Sequence, residues 1–324
     1  MTNSSDLKPW SLKRRAIYQD VYNKRVDNRP VKIIAKLQKA YVENNSLIFE
    51  SSSQQDQALN DGIFFLKIPF SFQLSACDMF SRNFYKGDNV IPYGEFRKIT
   101  AERFGDPLLG FHTRTNQIEQ FLLEHRFWKG NYPPEIEQAG EELTTLGHIV
   151  LRSILKLTNI PEIDWSIATG GCSDSLGSYH LTFNHYRPQL EGIGLASHKD
   201  DGFMTILRST SPGLEINRNN QWEAVNPDPA YFIINFGLSM EVLTRDSAKP
   251  IRAIMHRVKH QTIDRSSFGH FTSSFCEPGA EAGIYSYSSQ KGLHQVCNSR
   301  DLINANDEEI YLGTLQPRGL NNDS

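Results

Sequence analysis

The spacing of apolar residues divides the chain into a helix-leaning first half and a β-leaning second half. Leu143, Leu146, Val150, Ile154 and Leu157 recur at three- and four-residue intervals, which places them on one stripe of a helix that starts at Pro133-Pro134-Glu135 and stops before Pro161. Asn116 to Trp128 carries Ile118, Phe121, Leu122 and Phe127 among charges and reads as a second amphipathic helix. Gly62 to Pro69 reads as a short strand closed by proline. From about Gly177 the texture changes. Tyr179–Tyr186, Phe203–Leu207, Leu214–Ile216, Tyr231–Phe236, Ile251–Val258 and Phe268–Phe275 are β-type runs separated by turn residues such as Pro212-Gly213 and Asn226-Pro227-Asp228-Pro229. Glu241 to Thr244 reads as a short helical interruption. Such strand spacing suggests a jelly roll against which the helices pack.

The expected architecture is therefore mixed α+β. Residues 1–176 form a largely helical cap and buttress, 177–298 a jelly-roll core, and 299–324 a polar tail that frays at Asn321-Asn322-Asp323-Ser324. A chain of 324 residues can bury a sizeable core, and 39% hydrophobic with 22% charged residues is ordinary for a globular protein. The longest apolar runs, such as Tyr231 to Phe236, are too short to cross a bilayer, and no basic segment leads into an apolar one at the N-terminus. The default expectation is a cytoplasmic protein with no membrane partner. Cys77, Cys172, Cys276 and Cys297 show no paired spacing and read as free thiols. A formal net charge of -3 gives no reason to expect a nucleic-acid partner, and the Lys13-Arg14-Arg15 cluster reads as a solvated arm. A monomer is the default oligomeric state.

Candidate chemistry centres on His198, Asp200 and His256. Residues two apart in a strand point the same way, so His198 and Asp200 can bite one ion while Lys199 points away. His256 follows far enough downstream for intervening strands to return it beside the pair. Two imidazoles and one carboxylate on one face of an octahedral ion leave three positions open, as iron(II) needs for a chelating co-substrate and dioxygen. Surface loops also produce His-x-Asp, and it is the joint pattern with His256, Arg265 and Ser267 that favours a site. Arg265 and Ser267 share a strand face, and a guanidinium fork with a hydroxyl suits the distal carboxylate of a dicarboxylic acid. The plainer alternative is an Arg265-Asp264 surface pair.

Asn184-His185-Tyr186-Arg187-Pro188, the run from His198 to Leu207, Gly213-Leu214-Glu215-Ile216, Trp222 to Val225, Asn235-Phe236-Gly237, His256-Arg257-Val258 and Arg265-Ser266-Ser267 together resemble the isopenicillin N synthase-like branch of the iron(II)- and 2-oxoglutarate-dependent dioxygenases. The resemblance spans roughly Thr182 to Pro278. Less specific likenesses to that family's helical cap are Asp61 to Leu66, Phe127-Trp128 and Tyr132-Pro133-Pro134. It implies a distorted double-stranded β-helix, iron at His198, Asp200 and His256, and 2-oxoglutarate held by Arg265 and Ser267 with Tyr186 and Asn184 alongside. It also implies dioxygen as oxidant, ascorbate as a candidate reductant, and oxidation of a C–H bond of a small metabolite, amino-acid-like or a natural-product intermediate, with release of succinate and CO2. The outcome can be hydroxylation, desaturation, epoxidation or ring closure, while a carboxylate at Asp200 argues against halogenation. The sequence departs from the family pattern at Arg187 and Asp201, for which surface solvation is favoured over a substrate role.

Phe183, Phe203, Phe271 and Tyr287 are candidates for the pocket wall, with core packing the favoured alternative for each. His112, His125, His148, His180, His185, His260, His270 and His294 are left as structural or surface residues. Competing readings are an oxidase of the same branch that dispenses with 2-oxoglutarate, a zinc hydrolase, and a non-catalytic binding module on the same scaffold.

Overall fold

Residues 31–307, apart from 115 and 278, are described in a computed structural model. The Lys13-Arg14-Arg15 cluster and the residues after Asp307 lie outside them. Strands β1 (Lys39–Glu43), β2 (Ser46–Phe49), β3 (Ile63–Lys67), β4 (Gly110–Thr113) and β5 (Ile118–Glu124) come from the first half of the chain. The second half supplies β6 (Ser178–Tyr186), β7 (Leu195–His198), β8 (Met204–Ser209), β9 (Leu214–Arg218), β10 (Gln221–Ala224), β11 (Tyr231–Phe236), β12 (Met255–Val258), β13 (Arg265–Ser273), β14 (Gly283–Ser288) and β15 (Gly292–Asn298). The helices are α1 (Ser52–Asp61), α2 (Ser75–Asn83), α3 (Pro134–Leu155), α4 (Trp165–Ala168), α5 (Leu238–Thr244) and α6 (Ser299–Asp307).

A nine-stranded sheet ordered β2-β1-β3-β11-β8-β13-β6-β5-β4 faces a four-stranded sheet ordered β10-β9-β12-β7, which is the expected jelly-roll arrangement. Period-two alternation sorts the large sheet's side chains. Leu181 and Phe183 of β6, Ile206 of β8, Phe232 and Ile234 of β11 and Phe268 of β13 point away from the small sheet into the main core with α2 and α3. There Phe80 of α2, with no exposed surface, meets Phe84, Tyr93, Phe96, Phe121, Tyr132 and Phe183 at centroid distances of 4.4 to 5.9 Å, within the range of favourable aromatic pairs. The opposite face is left for polar chemistry.

Helix α3 buries Leu143, Leu146, Val150 and Ile154 as the periodicity requires, with Pro134 in its first turn, and stops two residues short of Leu157. The expected helix at 116–128 is instead strand β5 followed by a 3-10 turn. Its apolar residues happen to fall at helical intervals, but β5 lies between β6 and β4. Burial on both faces there is made tolerable by cross-strand partners for Glu119 and Gln120, namely His185 and Asn184. Residues 251–254 do not extend β12 backward. The amides of Ile251 and Ala253 are taken by the Thr244 hydroxyl and the Glu241 carboxylate of α5, so they are unavailable to a ladder. Among the described residues, the segment before 177 thus adds five strands to its four helices, and residues 299–307 of the expected tail form α6, with Leu302 and Ala305 buried. No helix among the described residues is long and apolar enough to cross a membrane.

The packing on α3 separates two glycines. A Cβ at Gly140 would lie 2.6 Å from the Trp128 ring, which is fixed by burial and by donation to the Leu123 carbonyl at 2.9 Å. At Gly147 the nearest atom is Thr272 Oγ1 at 3.4 Å, an ordinary contact. Gly140→Ala is therefore expected to destabilise by about 1–3 kcal/mol through overpacking. Gly147→Ala is expected to be neutral or to stabilise by up to about 1 kcal/mol through helix propensity. Urea unfolding of both variants checks this, and equal gains at the two sites would contradict it.

Candidate metal centre and carboxylate pocket

The small sheet carries two of the metal-site side chains. In the β12–β7 ladder His256 pairs with His198 and Val258 with Leu195, a register shift that gives β7 one extra residue. The bulge turns both Leu195 and His198 toward the space between the sheets, where all four residues line one cavity. Asp200 lies just beyond the end of β7 rather than in the strand, so strand alternation does not place it. Its backbone is instead held by the start of α5: the Leu238 amide donates to the Asp200 carbonyl at 2.8 Å, and Ser239 donates through its amide and hydroxyl to Asp201. Gly202 and Gly237 allow this approach, since a Cβ on Gly202 would sit 2.5 Å from the Thr272 carbonyl and one on Gly237 2.3 Å from the Gly202 carbonyl.

His198, Asp200 and His256 are each buried and offer ligand atoms within 4.8 Å of one another. Asp200 Oδ1 is 3.6 Å from His198 Nε2 and 3.5 Å from His256 Nε2. Each imidazole engages through Nδ1 the backbone carbonyl two residues upstream, His198 on Ala196 at 2.7 Å and His256 on Ile254 at 3.2 Å. With Nδ1–H donating, both Nε2 atoms are left as acceptors directed at Asp200, the tautomer a metal ligand requires. Burial pushes His256 down to about 4 against the pull of Asp200, so its ring is neutral at pH 7. Burial works against the Asp200 carboxylate, yet the charge that the His256 and His198 rings bring when protonated in acid, with the Thr205 hydroxyl donating to Oδ2 at 2.5 Å, outweighs it and holds the group at about 2. Two imidazoles and one carboxylate form a donor set for a divalent cation. Lys199 points away, as expected, and pairs with Glu241 at 2.9 Å.

The large sheet supplies the other wall. Arg265 and Ser267 of β13 stand opposite Tyr186 and Asn184 of β6 in register, and all four line the cavity that contains the three ligands. Arg265 is 2% exposed and does not pair with Asp264, which sits 3.4 Å from His185. Its Nε donates to the Pro212 carbonyl and one terminal nitrogen to the Ser209 hydroxyl, both at 3.1 Å, while the guanidinium carbon lies 4.6 Å from the Tyr186 ring centroid. The remaining terminal nitrogen, Nη1, is buried without a partner. A buried donor on a charged group left unmade is costly, and a carboxylate entering the cavity would satisfy it. Asn184 is already engaged, accepting from Gln120 at 2.9 Å.

Among the aromatic wall candidates Phe271 lines the cavity, whereas Phe183, Phe203 and Tyr287 belong to the core behind the sheet. Arg187 is half-buried rather than a free surface side chain. It donates to the carbonyls of Arg114, Asn116, Gln117 and Ile118 at 2.7 to 3.3 Å and so fixes the turn that leads into β5. Asp201 lines the cavity. His185 alternates to the back of β6, bonded to Glu119 at 2.8 Å and stacked on Tyr85, consistent with a structural role. Sequence reasoning left the cavity residues Thr205, Asn235, Gln120, His180 and Asn306 without a role. Strand alternation from Asn184 and Tyr186 back to His180 is the signal that could have found the last of the β6 set.

Residues 178–274 match the family model described as the 2OG-Fe(II) oxygenase superfamily. Jasmonate-induced oxygenase 2 of Arabidopsis thaliana is 32% identical over 151 residues, 44% of this chain and 38% of that protein. Protein DMR6-LIKE OXYGENASE 1 of Arabidopsis thaliana is 30% identical over 193 residues, 57% of this chain and 50% of that protein. The matched regions thus span half or less of these relatives' own length. Among solved structures, that of JOX2 in complex with 2OG, Fe and JA aligns at a TM-score of 0.63 and 18% identity over 88% of this chain and 90% of that one. A putative oxygenase from Shewanella oneidensis aligns at 0.60 and 18% over 87% and 100%. At such identity these alignments speak to the fold, and they agree with the two facing sheets. All three ligand residues and Arg265 lie inside the matched segment, so it is this part of the chain that is similar to the 2OG-Fe(II) oxygenase superfamily.

Proposed function

We propose that this protein is an Fe(II)- and 2-oxoglutarate-dependent oxygenase of the isopenicillin N synthase-like branch, oxidising a C–H bond of a small metabolite with release of succinate and CO2. The observation that carries the proposal is one cavity holding a ready-made divalent-metal donor set and a buried guanidinium with an unpartnered nitrogen. His198, Asp200 and His256 would hold the iron. When bound, iron with 2-oxoglutarate and dioxygen supplies the oxidising power that no side chain has. The chain's own part is positioning. Arg265, braced by Pro212, Ser209 and the Tyr186 face, would accept the distal carboxylate, with Ser267 beside it on the same strand face. Thr205 orients the Asp200 carboxylate by its hydrogen bond, and Leu207, Leu214 and Val258 make the intervening wall apolar and exclude water. A zinc hydrolase would leave the Arg265 arrangement without a task, and a 2-oxoglutarate-independent oxidase would show oxygen-dependent turnover without succinate.

His256→Ala should abolish stoichiometric Fe(II) binding, measured by anaerobic titration, and with it all turnover. Arg265→Ala should leave iron binding intact and weaken 2-oxoglutarate by about 2 to 5 kcal/mol, as for loss of one side of a buried charge-assisted pair. Unchanged 2-oxoglutarate affinity would show that this guanidinium serves something else.

Thr205→Val should lower Fe(II) affinity about 10–100-fold by releasing Asp200 from its orienting hydrogen bond. Competition with a metal-sensitive dye reads this directly, and wild-type affinity in the variant would remove Thr205 from the site.

A further inference from the structure

Two ends of the cavity can be told apart by strand register. Tyr186, Asn184, Thr182 and His180 of β6 alternate onto the cavity face, opposite Arg265, Ser267, Gly269 and Phe271 of β13. The Arg265–Tyr186 pair closes one end. His180 and Phe271 lie six residues away along the strands, roughly 20 Å at strand rise. In the cross-sheet direction Phe271 pairs with Thr205, whose hydroxyl holds Asp200. Thr205, Phe271 and His180 therefore form one row, and two strand spacings set His180 about 10 Å from Thr205. A molecule lying across Phe271 would have one end at the metal site and the other at His180.

His180 is partly buried and lines the cavity, yet neither ring nitrogen makes a hydrogen bond to any described residue. The other two histidines of the cavity wall, His198 and His256, both have Nδ1 engaged by a carbonyl. Burial lowers the His180 imidazole from its ordinary value against the opposing pull of Glu124 and Asp106, so the ring presents one donor and one acceptor. Leu108, Leu122, Phe271 and Ile303 make the surrounding wall apolar.

Resting on the oxygenase reading, we propose that His180 anchors the substrate, and that the substrate is a compact, mostly apolar molecule whose one hydroxyl group hydrogen-bonds to this imidazole. A hydroxyl both gives and accepts a hydrogen bond and so matches a neutral imidazole. The Phe271 ring supplies a face for the apolar body, and the row geometry directs the end remote from the hydroxyl toward Asp200.

Calorimetric titration of 4-ethylphenol and ethylbenzene into the zinc-substituted protein saturated with 2-oxoglutarate tests this without turnover. The phenol should bind at least about tenfold more tightly to the wild type, the worth of one hydrogen bond of about 1.4 kcal/mol. His180→Phe should erase the preference and His180→Gln should keep part of it. Both variants should bind 2-oxoglutarate as the wild type does, which certifies their fold. A wild type that does not distinguish the probes, including one that binds neither, or a preference that survives in His180→Phe, would overturn the proposal. Loss of 2-oxoglutarate binding in the wild type would instead overturn the oxygenase reading.

Discussion

The in-register antiparallel pairing of β6 with β13 is the constraint on which the rest of the molecule depends. Nine residue pairs run from Tyr186–Arg265 to Ser178–Ser273, and the two-residue period sends each strand's side chains alternately to opposite faces. One face receives Phe183, Leu181 and Phe268 and is sealed by the Phe80 cluster and α3. The other receives Tyr186, Asn184, His180, Arg265, Ser267 and Phe271. A slip of one residue would exchange the two sets, drive charge into the core and expose the aromatics. The same hydrophobic packing that stabilises the domain thus also fixes where its polar groups point.

Polar groups directed into a shielded cavity carry an energetic penalty that packing elsewhere must offset. Asp200 is surrounded by two imidazoles and a hydroxyl, and Arg265 is braced on two oxygens and an aromatic face but keeps one nitrogen unpaired. Removing a charge from water without full compensation is unfavourable, and such a site gains most when a ligand of opposite charge arrives, with binding to the native state alone stabilising it further. The small sheet tolerates the arrangement because its outer face is separately stapled: Arg257 bonds Glu215 at 2.7 Å and covers the Trp222 ring.

Much of this was legible in the sequence. β11 fell where its continuous apolar run put it, α3 followed its stripe, and the His198, Asp200, His256, Arg265 grouping does line one cavity. What escaped was decided by tertiary partners. The helical spacing of Ile118, Phe121 and Leu122 was overridden because a strand between β4 and β6 supplies His185 and Asn184 to buried Glu119 and Gln120. Asp200 is placed by α5 amides and two close glycines rather than by strand alternation. Arg187 became a clamp on four carbonyls because the pairing of Tyr186 with Ile118 brings it beside the turn before β5. His180 needed the register of two strands before its place could be recognised.

The central claim is that a metal site and a carboxylate anchor share one ligand. The most direct measurement is calorimetric titration of 2-oxoglutarate with and without anaerobic Fe(II). A shared ligand requires coupling: iron should tighten 2-oxoglutarate, and 2-oxoglutarate should tighten iron by the same factor, on the order of 5–150-fold or more. Identical 2-oxoglutarate affinity in the presence and absence of iron would contradict the account.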